Sequence, residues 1–597
     1  MLGDLGSILL AALGISFLIF IHELGHFLAA RAFGVRVETF SIGFGPRLFG
    51  WRRGDTDYRL SLVPLGGYVK MAGEYGDLRD GAVLAADDLS AKPPWQRAII
   101  FAGGVIVNVL FAFVAFPVAF ALGVPFTAPV LGSLAPGGPA WQADLRPGDE
   151  VLSVDGHRVY QFQDIALEVA LADPQHTLLR VRRDGREFEV VLRSERDELQ
   201  GRWQIGVGPA GDGTIAVEKG KAAAAAGLRT GDELVAIDGV PLAPDDRPEL
   251  ALERLFLNGG TARVSVRRGD QTLDVVLEPK REEVPGKRLL GITPVDTRVV
   301  ALRRAALDAR FPLQPGDVVL EVAGQPVAGA DEILLRVAEA PPGPVTLAVE
   351  RDGESVAVLL PEQRALLADD VAFDIDKGGT AVRVIPEGAL AAAGVRDGDI
   401  IKALNGEPVH DYDTLQARAG NGDTRFHVDF LSRADGELHA VDVETRLPVR
   451  WDYGVFARMR ESRQEESIPG ALRAGVVTSL NMLRTTWLTL KKLVTGDVAA
   501  DNLGGIVSIS VLTYQFADTG LTKLLYFLGL LSINLAFINV LPIPVLDGGQ
   551  MLFLLLEKLK GGRLSERFMN AAQLAGLLAI VALVLYVTYN DITRLVG

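Results

Sequence analysis

Four windows of this 597-residue chain are almost free of charge. Between Leu5 and Ala30 the sole charged residue is Glu23, and Ala98–Ala143 has none. Between Leu524 and Leu556 the sole charged residue is Asp547, and Ala571–Tyr589 again has none. Each window contains about 20 apolar residues, the length at which a helix crosses a hydrocarbon core. The pattern predicts four transmembrane helices, two on each side of a long polar middle. The first window lacks a basic leader and a small-residue cleavage site before Arg31, so it reads as a retained span rather than a signal peptide.

The middle alternates apolar and polar residues and repeats itself. "LRPGDEVLSVDG" (145–156), "LRTGDELVAIDG" (228–239), "LQPGDVVLEVAG" (313–324) and "VRDGDIIKALNG" (395–406) share one pattern, with Gly-Asp pairs in steps of 83, 85 and 82 residues. Each copy reads as a turn, an alternating strand and a tight Asp/Asn-Gly turn. Such a period suits tandem small domains. The repeats resemble PDZ domains of the bacterial, protease-associated kind, and the third departs from the pattern with Ala323 in place of Asp or Asn. PDZ domains accept an extended peptide as an added strand, which makes "IGVGP" (205–209) and "GITP" (291–294) candidate carboxylate-binding loops and PDZ ligands candidate partners.

Basic residues orient the spans. Arg and Lys crowd the loop Arg31–Arg97 and the segment "EKLKGGRLSER" (557–567), and are rare at both termini. The positive-inside rule puts both basic loops in the cytoplasm, and both termini and the repeats outside it. Net charge is −15 and there is no cysteine. The first excludes a typical nucleic-acid binder, and the second excludes thiolate catalysis and disulfides. Residues 468–496 show apolar positions at helical spacing with Arg and Lys between them, which predicts an amphipathic helix at the outer membrane face.

Chemistry enters through "FLIFIHELGHFLAA". His22-Glu23-Leu24-Gly25-His26 is an H-E-x-x-H pattern, and residues i and i+4 share one helix face, where two imidazoles can hold Zn²⁺ beside a glutamate base. In a membrane span each ionisable group costs about 2.5–3.5 kcal/mol on insertion scales, so each needs a partner. A catalytic zinc takes three protein ligands and a water. The other histidines (157, 176, 410, 427, 439) lie in the repeats. Asp547, in "NVLPIPVLDGG", is the sole carboxylate of the remaining windows and the candidate third ligand. Broken backbone of this Pro- and Gly-rich kind is tolerated at membrane depth against protein or water.

"HELGHFLAAR", "SIGFGPRL", "PLGGYVKM", "GVIVN" and "NVLPIPVLDGG" resemble the site-2 protease family of intramembrane zinc metalloproteases, and within it the bacterial regulator-of-sigma-E type. The resemblance covers the whole chain. It implies a polytopic α-helical membrane protein of four transmembrane helices with a β-rich extracytoplasmic region of tandem PDZ domains (α+β). It implies one Zn²⁺ per chain on His22, His26 and Asp547, with Glu23 as catalytic base. Asn108, Asn534 and Asn539 would steady substrate or transition state, and Gly66, Gly67 and Tyr68 would lie on a membrane-associated hairpin that pairs with the substrate. Implied partners are the lipid bilayer and single-span membrane proteins, such as a trimmed anti-sigma factor or remnant signal peptides. The implied location is the bacterial inner membrane, with the active site toward the cytoplasm. Val105 and Ile506 stand where Pro is familiar, and four repeats exceed the usual one or two. An inactive membrane-anchored PDZ scaffold is the alternative function. The expected division is 1–124 (membrane, first part), 125–200, 201–285, 286–367 and 368–447 (PDZ domains), 448–520 (linker and amphipathic helix) and 521–597 (membrane, second part).

Overall fold

The computed structural model describes the chain except residues 1, 74–84, 198–202, 243–251, 253–254, 257–258, 284–288, 304–305, 307–309, 361–366, 368–369, 386–387, 420–422, 448, 465–466, 496–504 and 597. Two compact units emerge. One comprises Met1–Phe126, Asp197–Arg202 and Ser462–Gly597, and the other Thr127–Arg196 and Trp203–Glu461.

The first unit is built on long helices, here α1 (Leu2–Ala32), α2 (Pro94–Leu122), α3 (Ile468–Thr495), α4 (Ile506–Thr519), α5 (Leu521–Val540), α6 (Asp547–Lys560) and α7 (Glu566–Val596). Stretches of α1, α2, α5 and α7 are long and apolar enough to cross a membrane, four such stretches among the described residues. Their outer faces are apolar too. On α2, Ile106, Leu110, Val114 and Val118 form an exposed stripe at four-residue spacing, which water would penalise and lipid would accept. Small residues let α1 and α2 meet backbone to backbone: a Cβ on Gly25 would strike the Gly103 carbonyl, and one on Gly103 would lie 2.6 Å from the Gly25 carbonyl. Such close crossings replace the hydrophobic drive that helices lack in lipid.

Polar locks fix the other elements of this unit. Arg97 on α2 and Glu557 on α6 form a buried ion pair at 3.1 Å. Asp591 on α7 accepts hydrogen bonds from Gly505 N, Ser508 N and Ser508 Oγ, which caps the start of α4. Helix α3 turns small residues inward, with Gly475 against Pro117 of α2, and leaves Leu472, Val476, Leu480 and Trp487 exposed. Between α1 and α2, strands β1 (Val37–Arg53) and β2 (Thr56–Met71) fold into one sheet in which Ser41 has Tyr68 on one side and Arg59 on the other. The stretch Gly66–Met71 is therefore an edge.

The second unit holds four cores, one for each repeat. Each repeat has a sheet built on the strand after its Gly-Asp pair, and a short strand closes the domain from the other side. In the first and third repeats the closing strand follows in sequence: Val207–Pro209 pairs with Leu131–Leu134, and Val371–Asp374 pairs with Arg298–Leu302. In the fourth it comes first, since Ile292–Pro294 pairs with Val382–Val384. In the second it arrives last, as Val455–Met459 pairs with Gly211–Val217.

The third repeat is thus inserted in the fourth, and both are inserted in the second. Tyr453 and Val455 belong to the second core, and Leu290 to the fourth. The sequential division of residues 201–447 is accordingly revised: residues assigned to the linker after 448 complete the second repeat, and 289–294, assigned to the third, complete the fourth. The expected boundaries at 200/201 and 285/286, and residue 448 at the last, fall outside the described residues.

The Gly-Asp signature is structural. Asp149, Asp232 and Asp317 are buried and each grips an arginine with two oxygens, Arg183, Arg268 and Arg351, at 2.6–2.8 Å. The fourth aspartate, Asp399, accepts backbone donors alone among the described residues, from Arg396 and Arg433. The Arg433 guanidinium reaches instead to the Val327 and Leu320 carbonyls of the third repeat. The following turn needs a left-handed residue: Asp155, Asp238, Ala323 and Asn405 have φ of 47–52°. In three copies the side chain accepts the N–H of Leu178, Arg263 or His427 across the sheet. Alanine cannot do this, although its backbone makes the matching bond to Thr346.

Two predictions follow from these features. Ala323→Asn relieves about 1 kcal/mol of backbone cost and adds an acceptor, so stability should rise by about 1 kcal/mol in denaturant unfolding. A fall would contradict this account. The Arg268 guanidinium holds the Asp232 carboxyl below the usual carboxylate range. That stabilisation is present above the ordinary pKa of about 4 and is lost as pH falls through the depressed value. Asp232→Asn should lower stability at neutral pH and flatten its decline in acid; an unchanged acid limb would refute the pairing.

Candidate metal centre

Between Leu5 and Ala30 helix α1 has Glu23 as its sole charged residue, and the rows i and i+4 bring both imidazoles to the face that meets α2. Gly104 of α2 lies directly beneath them. A Cβ there would sit 2.5 Å from His22 Cε1 and from His26 Nε2, so the glycine is the floor of the cradle. Asp547 arrives from far along the chain, at the first turn of α6. The preceding Leu541–Leu546 segment is wound tightly, with Ile543 N bonded to the Leu541 carbonyl and Leu546 N to that of Ile543. Side chains on Gly548 or Gly549 would collide with carbonyls of Val540, Leu541 or Ile543.

The three side chains converge. His22 Nε2 and His26 Nε2 are 3.2 Å apart, and Asp547 Oδ2 is 3.3 Å from the first and 3.5 Å from the second. Tetrahedral zinc with bonds of about 2.0–2.2 Å holds its ligand atoms about 3.3–3.6 Å apart. The set fits that ion. Asp547 Oδ2 is buried and has no hydrogen-bond donor among the described residues, a costly state that a cation relieves. His26 Nδ1 is 2.9 Å from the Ile100 carbonyl, so donation from Nδ1–H leaves the Nε2 lone pair facing the cluster.

Glu23 borders the same cavity of about 280 Å³, together with Tyr68, Val69, Met71, Phe101, Val545, Gln550 and Gln573. A Cβ on Gly67 would lie 3.1 Å from Glu23 Cγ. The edge strand therefore runs beside the cluster. Gly66, at φ +122°, holds a conformation that glycine alone takes easily.

The asparagines separate. Asn539 Nδ2 is 3.3 Å from His22 Nε2. Asn108 is fully buried, with Nδ2 3.1 Å from His22 Nδ1. Asn534 accepts a hydrogen bond from Thr486 of α3 at 3.0 Å. Gln550 and Gln573 escaped the sequence reading, although polar residues inside apolar windows were the available signal.

Two histidines and a glutamate on one helix and an aspartate on another, around one cation-sized gap, are the constellation of a zinc metalloprotease. Comparison with known proteins agrees. The chain belongs to peptidase family M50, whose model matches residues 10–583. Protease RseP of Yersinia pestis is 30% identical over 98% of each chain. The regulator of sigma-E protease RseP of Escherichia coli K12 is 28% identical over 100% of this chain and 99% of its own. A putative zinc metalloprotease of Vibrio cholerae is 27% identical over 98% of this chain and 97% of its own.

The Gly104 floor yields a direct test. Gly104→Ala should push the imidazoles apart and weaken zinc binding at least about tenfold, read as zinc content after dialysis against a chelator. Gly6→Ala on the same α1, where nothing lies within 4 Å, should leave it unchanged. Equal zinc retention in both variants would refute the cradle.

Proposed function

We propose that this chain is a multi-pass endopeptidase of the bacterial inner membrane that cleaves single-span membrane proteins within the bilayer. His22, His26 and Asp547 would hold one zinc ion per chain. The observation that carries the reading is the 3.2–3.5 Å spacing of three ligand atoms drawn from two separate helices of an apolar unit. A zinc ion in this set supplies Lewis acidity toward a scissile carbonyl and an acidified water.

Everything else is work for side chains and backbone. Glu23 takes the proton of the attacking water and returns it to the leaving amine. Asn539, with its amide against the ligand nitrogen of His22, donates to the carbonyl oxygen as charge builds there. A helical substrate hides its carbonyls in its own hydrogen bonds, so it must unwind first. The Gly66–Met71 edge offers a template for it as an added strand, with Gly66 and Gly67 keeping the approach clear and Tyr68 lining the cavity. Asn534, whose Oδ1 accepts Thr486, would offer the substrate its Nδ2.

Four spans with both basic loops in the cytoplasm would leave the termini and the repeats outside. The repeats act as PDZ domains that screen substrates by size or by bound peptide. The names of the relatives support a sigma-factor pathway, hence a trimmed anti-sigma factor as substrate, with remnant signal peptides as a second class. The coexistence of His22, Glu23, His26 and Asp547 argues against an inactive scaffold.

Glu23→Gln separates binding from chemistry. Zinc content should match the parent, and cleavage of a reconstituted single-span substrate should fall by about 10²–10⁴-fold. Cleavage at the parental rate would end the assignment of Glu23.

A further inference from the structure

We infer that Asn108 is a positioning residue that fixes the tautomer of His22, rather than a contact for substrate. The inference rests on the zinc reading above. Asn108 lies one turn beyond Gly104 on α2, so both face α1. It is fully buried, whereas Asn539 is only partly so, which leaves Asn108 no surface to offer a bound peptide. Its backbone carbonyl accepts Ser532 Oγ of α5 at 2.9 Å, a bond that does not involve the amide.

The amide itself points at His22. Nδ2 lies 3.1 Å from His22 Nδ1, while Asn108 Oδ1 is buried without a donor among the described residues. The two ends of a carboxamide have the same shape, and their assignment follows from the hydrogen bonds they can make. A neutral imidazole carries one N–H and one lone pair. His22 Nε2 is the atom that faces His26 Nε2 and Asp547 Oδ2, so the lone pair belongs there and the proton on Nδ1. That proton needs an acceptor, which an amide nitrogen cannot provide. With the amide turned over, His22 Nδ1–H donates to Asn108 Oδ1, and the orphaned oxygen and the orphaned proton satisfy each other.

His26 follows the same rule with the Ile100 carbonyl. The two histidines thus take their orientation from residues about two turns apart on α2. One acceptor is backbone and survives any substitution; the other is the Asn108 side chain. Asn539 approaches His22 from the opposite nitrogen and does not compete for Nδ1.

The test uses the purified full chain in detergent, with zinc alone as probe and a chromophoric chelator as competitor. Asn108→Leu should bind zinc about 10–100-fold more weakly. Asn108→Asp, which restores an acceptor, should bind at least as tightly as the parent. Parental affinity in Asn108→Leu, or equal losses in both variants, would overturn the inference. A second readout needs no variant: in the zinc-loaded parent, nitrogen-15 NMR of labelled histidine should find the His22 proton on Nδ1, and a proton on Nε2 would overturn it. A parent that binds no zinc would sink the metal reading instead, whereas a parent that binds zinc beside an Asn108→Leu variant of equal affinity would sink this inference alone.

Discussion

An ionisable group in an apolar helix must find a partner, and the first unit is organised around that demand. His22, Glu23 and His26 are tolerable on α1 because Gly25, Gly103 and Gly104 let α2 come close enough to enclose them. The same closeness brings the Ile100 carbonyl and Asn108 to the outer nitrogens of the two imidazoles. Asp547 completes the set only because the Pro- and Gly-rich turn before α6 folds tightly on itself. The Arg97–Glu557 pair fastens the far end of α6 to α2. Removing one member of such a buried pair costs about 3–5 kcal/mol, so α6 has little freedom to drift from the histidines.

Much of this was legible in the residues. Charge-free windows mark the long helices because charge at membrane depth is expensive, and H-E-x-x-H marks one helix face because the period is 3.6. Asp547 could be singled out because few carboxylates occur in those windows. The partners of individual polar residues were not legible. Asn108, Asn534 and Asn539 look alike in sequence, yet one faces His22 at Nδ1, one accepts Thr486, and one faces His22 at Nε2. Which neighbour an amide meets depends on how helices cross, and local pattern does not encode that.

The repeats give the complementary lesson. Their period was plain, because Gly-Asp and Asp/Asn-Gly turns are local and carry their own geometry. Their nesting was not, because closing strands of three to five residues, such as Ile292–Pro294 and Val455–Met459, have no signature apart from the strand they meet. Such insertions bring distant stretches of chain into one core, as Tyr453 does in the second repeat, where its hydroxyl bonds the Gly260 carbonyl. Equally, the partners of the Gly-Asp motif are not local: Arg183, Arg268 and Arg351 fold onto it from 34 or 36 residues further on.

The central claim is that His22, His26 and Asp547 together bind one zinc ion. X-ray absorption at the zinc K-edge on the purified full chain tests it most directly. The account predicts one zinc per chain with two imidazoles and at least one carboxylate oxygen at about 2.0–2.2 Å, and loss of the ion in Asp547→Ala. Full zinc occupancy in Asp547→Ala, or a ligand shell without two imidazoles in the parent, would contradict it.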